Sequence, residues 1–178
     1  MRSQVGYILR LALTLLVITA VVAAALAGVN AITAPRIAAA NAEKTQQAIE
    51  AVLPGGGTAV EDFTDPTGLI KAVYASDTGY AVQVTPAGFD GAIDMMVGVS
   101  KEGKVLNISI ISHTETAGLG AVAAAKTAAG EVFRGQFAQA DAPYAVGDNV
   151  DALTGATITS KAVTLGVNTA VEFVKSLG

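Results

Sequence analysis

Two short stretches hold the residues able to do chemistry. The first, "DALTGATITSK" (151–161), gathers Asp151, Thr154, Thr157, Thr159, Ser160 and Lys161 around the small pair Gly155-Ala156. It stands where polar turn residues give way to an apolar repeat of helical spacing. Unpaired amides at a helix start, at the positive end of the helix dipole, stabilise an anion by roughly 0.3–1 kcal/mol on an exposed surface. Gly155 and Ala156 leave the approach open, so a phosphate is well placed there. Thr154, Thr159 and Ser160 can donate to its oxygens, and Lys161 can supply charge. The plainer reading is that Thr154 or Thr157 only caps the helix, but capping needs a single hydroxyl.

The second stretch is "HTETAGLGA" (113–121), where a strand pattern gives way to a helical one. Thr114, Glu115 and Thr116 offer donors and acceptors, and Gly118-Leu119-Gly120 follows as a turn. Glycine amides without side chains allow a ring or phosphate to come close. A plain strand-to-helix turn with Thr116 as its cap is the competing reading. His113 is expected to end the strand and satisfy a backbone group.

Composition narrows the chemistry further. The 178 residues include no cysteine and one histidine, His113, which excludes disulfides, thiol redox chemistry, iron–sulfur ligation and cysteine- or histidine-rich metal sites. The formal net charge of −4 argues against a nucleic-acid partner, which requires a basic face. Redox chemistry in this chain therefore requires a borrowed organic cofactor. "PGGGT" (54–58) reads as a flexible turn, because no Gly-Lys-Ser/Thr follows to complete a phosphate loop. No dinucleotide fingerprint occurs either.

The elements that must position these stretches follow from periodicity. Between Arg10 and Arg36 no residue is charged, and Leu11–Val29 is almost wholly apolar. About 20 such residues span a hydrocarbon core, so a membrane helix is expected, with Gly28, Asn30, Thr33 and Pro35 loosening and ending it. A cleaved signal peptide is the alternative, but its apolar region is typically about 7–15 residues. The Lys/Arg tally on the two sides is nearly even. The very short leading segment favours the amino end inside and the domain outside.

Residues 37–53 read as a helix stopped by Pro54. Four strands follow, over 69–76, 80–86, 92–100 and 105–112, joined by short turns into an antiparallel sheet. The Asn107-Ile108-Ser109 sequon falls inside the last of them and reads as a chance match. Residues 118–137 read as mostly helical, although Gly130 weakens the helix. Residues 159–177 form an amphipathic helix with Ala162, Val163, Val167, Ala170, Val171 and Val174 on its buried side. The expected class is α+β: an anchor (1–35), a helical linker with a glycine break (36–57) and one domain (58–178).

"DALTGAT" resembles the Asp-x-x-Ser/Thr-Gly-Ala-Thr signature of FMN-binding domains that carry flavin mononucleotide covalently on threonine. "HTETAGLG" is similar to the His-x-Glu-Thr-Pro-Gly-Leu-Gly segment of the same domains, with Ala117 in place of the proline. A single membrane helix ahead of such a domain resembles the G subunits of Rnf ion-translocating ferredoxin:NAD⁺ oxidoreductase complexes. The C subunits of sodium-pumping NADH:quinone reductases are near relatives with a larger domain.

The resemblance implies an FMN phosphoester on Thr157, made by a separate flavin transferase that draws FMN from FAD. It implies that Glu115 and Thr116 contact the flavin ring or ribityl chain within the Gly118–Gly120 segment, that Leu119 packs on it, and that the transferase reads Asp151. It further implies an electron-transfer subunit, single-pass in the bacterial inner membrane, with its FMN domain on the outer side. Its neighbours would be lipid and the other membrane subunits, which would bind NAD and ferredoxin. A stand-alone membrane flavoprotein, or an anchored non-redox scaffold whose threonines only cap a helix, are the rival readings.

Overall fold

The computed structural model describes residues 2–177, with side-chain surroundings from residue 6 onward. By compactness the chain divides into two units, Met1–Glu43 and Lys44–Gly178, and each is described by itself.

The first unit is helical and belongs to α1 (Arg2–Val52). Every large apolar side chain from Tyr7 to Ile37 is more than half exposed, on all sides of the helix. Water would not stabilise such a surface. The helix is long and apolar enough to cross a membrane. It does not end at Pro35, as the sequence suggested. Proline removes one donor but fixes φ close to the helical value. Alanines on either side favour helix, and the Thr33 hydroxyl donates back to the Val29 carbonyl at 2.8 Å.

The second unit is built on a five-stranded antiparallel meander, β1 (Thr58–Val60), β2 (Ile70–Ala75), β3 (Gly79–Val84), β4 (Asp94–Ser100) and β5 (Val105–Ser112), paired in chain order. The four expected strands are present. The fifth, β1, is a three-residue edge strand on β2, too short to produce a pattern in the sequence.

Both faces of the sheet are covered, and the period-2 alternation of β4 sorts its side chains between them. Met95, Val97 and Val99 join Val82 and Val84 in the larger core. Met96 and Ala81 face the other way, against Ala48, Ile49, Val52 and Leu53 from the end of α1 and the residue after it. Gly98 makes that second contact possible, since a Cβ there would lie 2.3 Å from the Val52 carbonyl oxygen. Asn107 donates to the Ala51 carbonyl at 2.9 Å, satisfying an end carbonyl of α1.

The larger core is closed by α2 (Ala128–Gln139) and α3 (Thr157–Leu177). The α3 residues expected inside, Ala162, Val163, Val167, Ala170, Val171 and Val174, are all buried. The helix expected over 118–137 is in fact two pieces, a 3₁₀ turn (Gly120–Ala123) and α2. Gly130 does more than weaken a helix. A Cβ there would lie 2.5 Å from the Val122 carbonyl oxygen and 2.4 Å from that of Ala125, so the glycine lets the two pieces pack closely. The Arg134 guanidinium donates to the Ala123 and Ala125 carbonyls, and Thr127 caps the new helix through the Gly130 amide.

Candidate functional site

At the amino end of α3 the chain turns through Gly155, which holds φ at +74°, a left-handed value suited to glycine. The first intrahelical bond runs from the Ser160 amide to the Ala156 carbonyl. The helix begins at Thr157, two residues earlier than the apolar pattern suggested. Ala156 occupies the cap position, and its side chain has no acceptor. The amides of Thr157, Ile158 and Thr159 therefore precede the first helical bond, at the positive end of the dipole. Neither Thr154 nor Thr157 caps this helix.

An open cavity of about 300 Å³ lies against this end of α3, within the size range of ligand pockets. Three segments wall it: Phe89; Glu115, Thr116, Leu119 and Gly120; and Gly155 through Thr159. Phe89, Leu119 and Ile158 form an apolar lip, 65%, 45% and 54% exposed. The hydroxyls of Thr116 and Thr157 have no hydrogen-bond partner among the described residues, and both side chains are exposed. A flat, partly apolar group with an anionic end suits these walls.

Glu115 joins the segments. Its Oε1 accepts from the Phe89 amide at 2.7 Å and the Asp90 amide at 3.3 Å. Its Oε2 accepts from the Thr159 hydroxyl at 2.6 Å. Two glycines make room for it. A Cβ on Gly88 would lie 2.1 Å from Oε1, and one on Gly120 would lie 2.3 Å from Oε2. The Thr114 hydroxyl adds a bond to the Asp90 carbonyl, so the 86–92 loop is tied down twice.

The remaining expected residues sort by position. Ser160 is fully buried, and its Oγ accepts from the Leu153 amide and donates to the Ala156 carbonyl, both at 2.9 Å. It holds the turn and does not reach the cavity, contrary to the expected phosphate contact. Thr159 does line the cavity, but its hydroxyl proton is committed to Glu115. Lys161 is exposed, outside the cavity wall, and one helical turn beyond Thr157 on the same face.

Asp151, Thr154 and Gly118 line a neighbouring groove of about 350 Å³, with Leu119 as the shared wall. Gln136 holds the Asp151 main chain from both sides, accepting from its amide at 2.7 Å and donating to its carbonyl at 3.3 Å. His113 follows β5, but its Nδ1 is buried without a partner among the described residues. The neighbouring Thr114 hydroxyl bonds a backbone carbonyl, that of Asp90.

The sequence did not single out Gly88, Phe89 or Ile158 as site residues. Gly88 reads in the sequence as a bend or a place where something packs closely against the backbone, and here Glu115 does so; Phe89 and Ile158 carry no polar signal.

Comparison with known proteins locates both units. A family model described as an FMN-binding domain matches residues 88–172, a span that opens at the glycine beside Glu115. A second, described as the RnfG N-terminal region, matches residues 2–52. The chain is 33% identical over 194 residues to the G subunit of the Na⁺-translocating ferredoxin:NAD⁺ oxidoreductase complex of Acetobacterium woodii, covering 96% of this chain and 93% of that one. It is 32% identical over 186 residues to the G subunit of the ion-translocating oxidoreductase complex of Methanosarcina acetivorans, covering 95% of each. A third relative, the G subunit of the proton-translocating ferredoxin:NAD⁺ oxidoreductase complex of Clostridium ljungdahlii, is 47% identical over 114 residues, which is 57% of this chain and 59% of that protein.

Proposed function

The chain belongs to the family of G subunits of ion-translocating oxidoreductase complexes, and from that premise we propose that it is a membrane-anchored electron-transfer subunit carrying FMN as a phosphoester on Thr157. The observation that carries the attachment is the contrast at the start of α3. Thr157 alone among the hydroxyls there is exposed, on the cavity wall and without a hydrogen-bond partner among the described residues.

The walls suit FMN. Phe89, Leu119 and Ile158 offer apolar contact to the ring, and the leading amides of α3 face the anionic end. Lys161, on the face of Thr157, adds a positive charge near the phosphate. When bound, the flavin supplies the redox chemistry, and the protein supplies position and electrostatics.

Thr157 has no base of its own. Glu115 is the only ionisable side chain on the cavity wall, and its carboxylate accepts from Thr159 and two amides. Attachment therefore falls to a separate flavin transferase: the Thr157 oxygen takes the FMN phosphorus of FAD and AMP leaves. Asp151 and Thr154 in the adjoining groove are the surface that enzyme meets. Residues 1–35 anchor the chain in the bacterial inner membrane among lipid and the other subunits of the complex. The FMN domain sits on the outer side, and NAD and ferredoxin are handled elsewhere in the complex.

The test is in-gel flavin fluorescence of the denatured protein, produced together with a flavin transferase. The native chain should fluoresce and gain the mass of an FMN ester, and Thr157→Ala should do neither. Fluorescence that persists in Thr157→Ala rules out the assignment.

A further inference from the structure

The geometry points to Glu115 as the residue whose charge holds down the reduction potential of the flavin, an inference that rests on FMN occupying the cavity. Glu115 is 8% exposed, and both of its carboxylate oxygens accept hydrogen bonds. Three donors point at it, the Phe89 and Asp90 amides on Oε1 and the Thr159 hydroxyl on Oε2, the set that suits an acceptor-only carboxylate, the form that carries a negative charge.

That charge is met by neutral donors. An ion pair joins Lys71 to Asp94, neither of which lines the cavity, and no cationic side chain lines the cavity wall. The position is also built in, because Gly88 and Gly120 both omit a Cβ that would collide with the carboxylate. A fixed, uncompensated negative charge is thus held on the wall of the space the flavin fills.

The oxidised ring takes up two electrons and one proton to give an anionic hydroquinone, a net gain of one negative charge. Charges interact more strongly in a partly dry site than in water, so Glu115 opposes that gain. Charge near the ring is one of the means by which a protein tunes a flavin. This role is electrostatic and separate from attachment at Thr157.

The test is a potentiometric titration of the full-length, FMN-loaded protein in detergent, with dithionite as reductant. Glu115→Gln keeps the size of the side chain and an acceptor for the Phe89 amide but removes the charge. At a fixed potential its ratio of reduced to oxidised flavin should rise at least tenfold, an upward shift of about 30 mV for a two-electron couple or about 59 mV for a one-electron couple. A loaded Glu115→Gln protein with an unchanged or lower midpoint overturns the inference.

If Glu115→Gln carries no flavin, Thr159→Val decides. It removes a donor from the carboxylate, leaves the charge less compensated and should lower the midpoint. An unchanged or raised value overturns the inference. Absence of covalent flavin from the native chain itself would defeat the FMN reading and this inference together, so the two failures are distinguishable by intact mass.

Discussion

Thr154 and Thr157, on one side, and Thr159 and Ser160, on the other, are four hydroxyls within a single turn-and-helix segment, and they have opposite fates. Thr154 and Thr157 are exposed and without partners among the described residues. Thr159 and Ser160 are buried, and each hydroxyl donates to a named acceptor. The place where the helix starts produces the split. Thr154 stands in the turn before it and Thr157 opens it at the cavity, while Thr159 and Ser160 follow within it and are buried. One stretch of sequence thus supplies both a reactive group and the brace that steadies it. Polar residues clustered in sequence are therefore not one site, and their work divides by direction.

Substitutions can break or sharpen this contrast. The largest expected effect is on the exposed side: Thr157→Ala should lose all covalent flavin while thermal unfolding stays within about 0.5 kcal/mol of native, as for other exposed positions. A large drop in Tm would show that Thr157 also braces the fold. Ser160→Ala should do the reverse. It leaves the Leu153 amide without its acceptor, at a cost of about 1–3 kcal/mol, read as a lower Tm with flavin still attached to the folded fraction.

Gly120→Ala tests the brace from its other end. A methyl would be forced to within 2.3 Å of Glu115 Oε2 and 2.5 Å of Thr159 Oγ1. A destabilisation of about 1–3 kcal/mol is expected from overpacking, along with slower flavin attachment measured by in-gel fluorescence over time. The smallest effect is expected for Thr154→Ala, with no change in Tm beyond about 0.5 kcal/mol. Any loss of flavin in that variant would place its role in recognition by the transferase.

The sequence made much of this legible where one physical rule dominated. Alternation marked four strands, and helical spacing named six of the twelve residues that α3 buries. Charge-free length marked the helix able to cross a membrane. It was less informative where tertiary contact decides. The 118–137 segment has helix-forming residues throughout, and only the close approach of Gly130 to the Val122 and Ala125 carbonyls shows why it breaks in two. Pro35 looked like an ending because sequence weighs its missing donor and not the alanines around it.

At the site, Thr157, Glu115, Thr116, Leu119 and Gly120 were named from the sequence and do share one cavity. Ser160 was misjudged because a hydroxyl's direction is set by where the helix starts, and that start was placed two residues late. Phe89 and Ile158 escaped notice because an exposed apolar side chain acquires meaning only beside a hollow.

The three walls of that hollow come from stretches far apart in the domain's sequence: the loop before β4, the segment after β5, and the entry to the last helix. A guest held by all of them would act as a rivet. Loosening any wall would forfeit its grip, so occupancy should slow local opening along the whole seam, even far from the bond that tethers it.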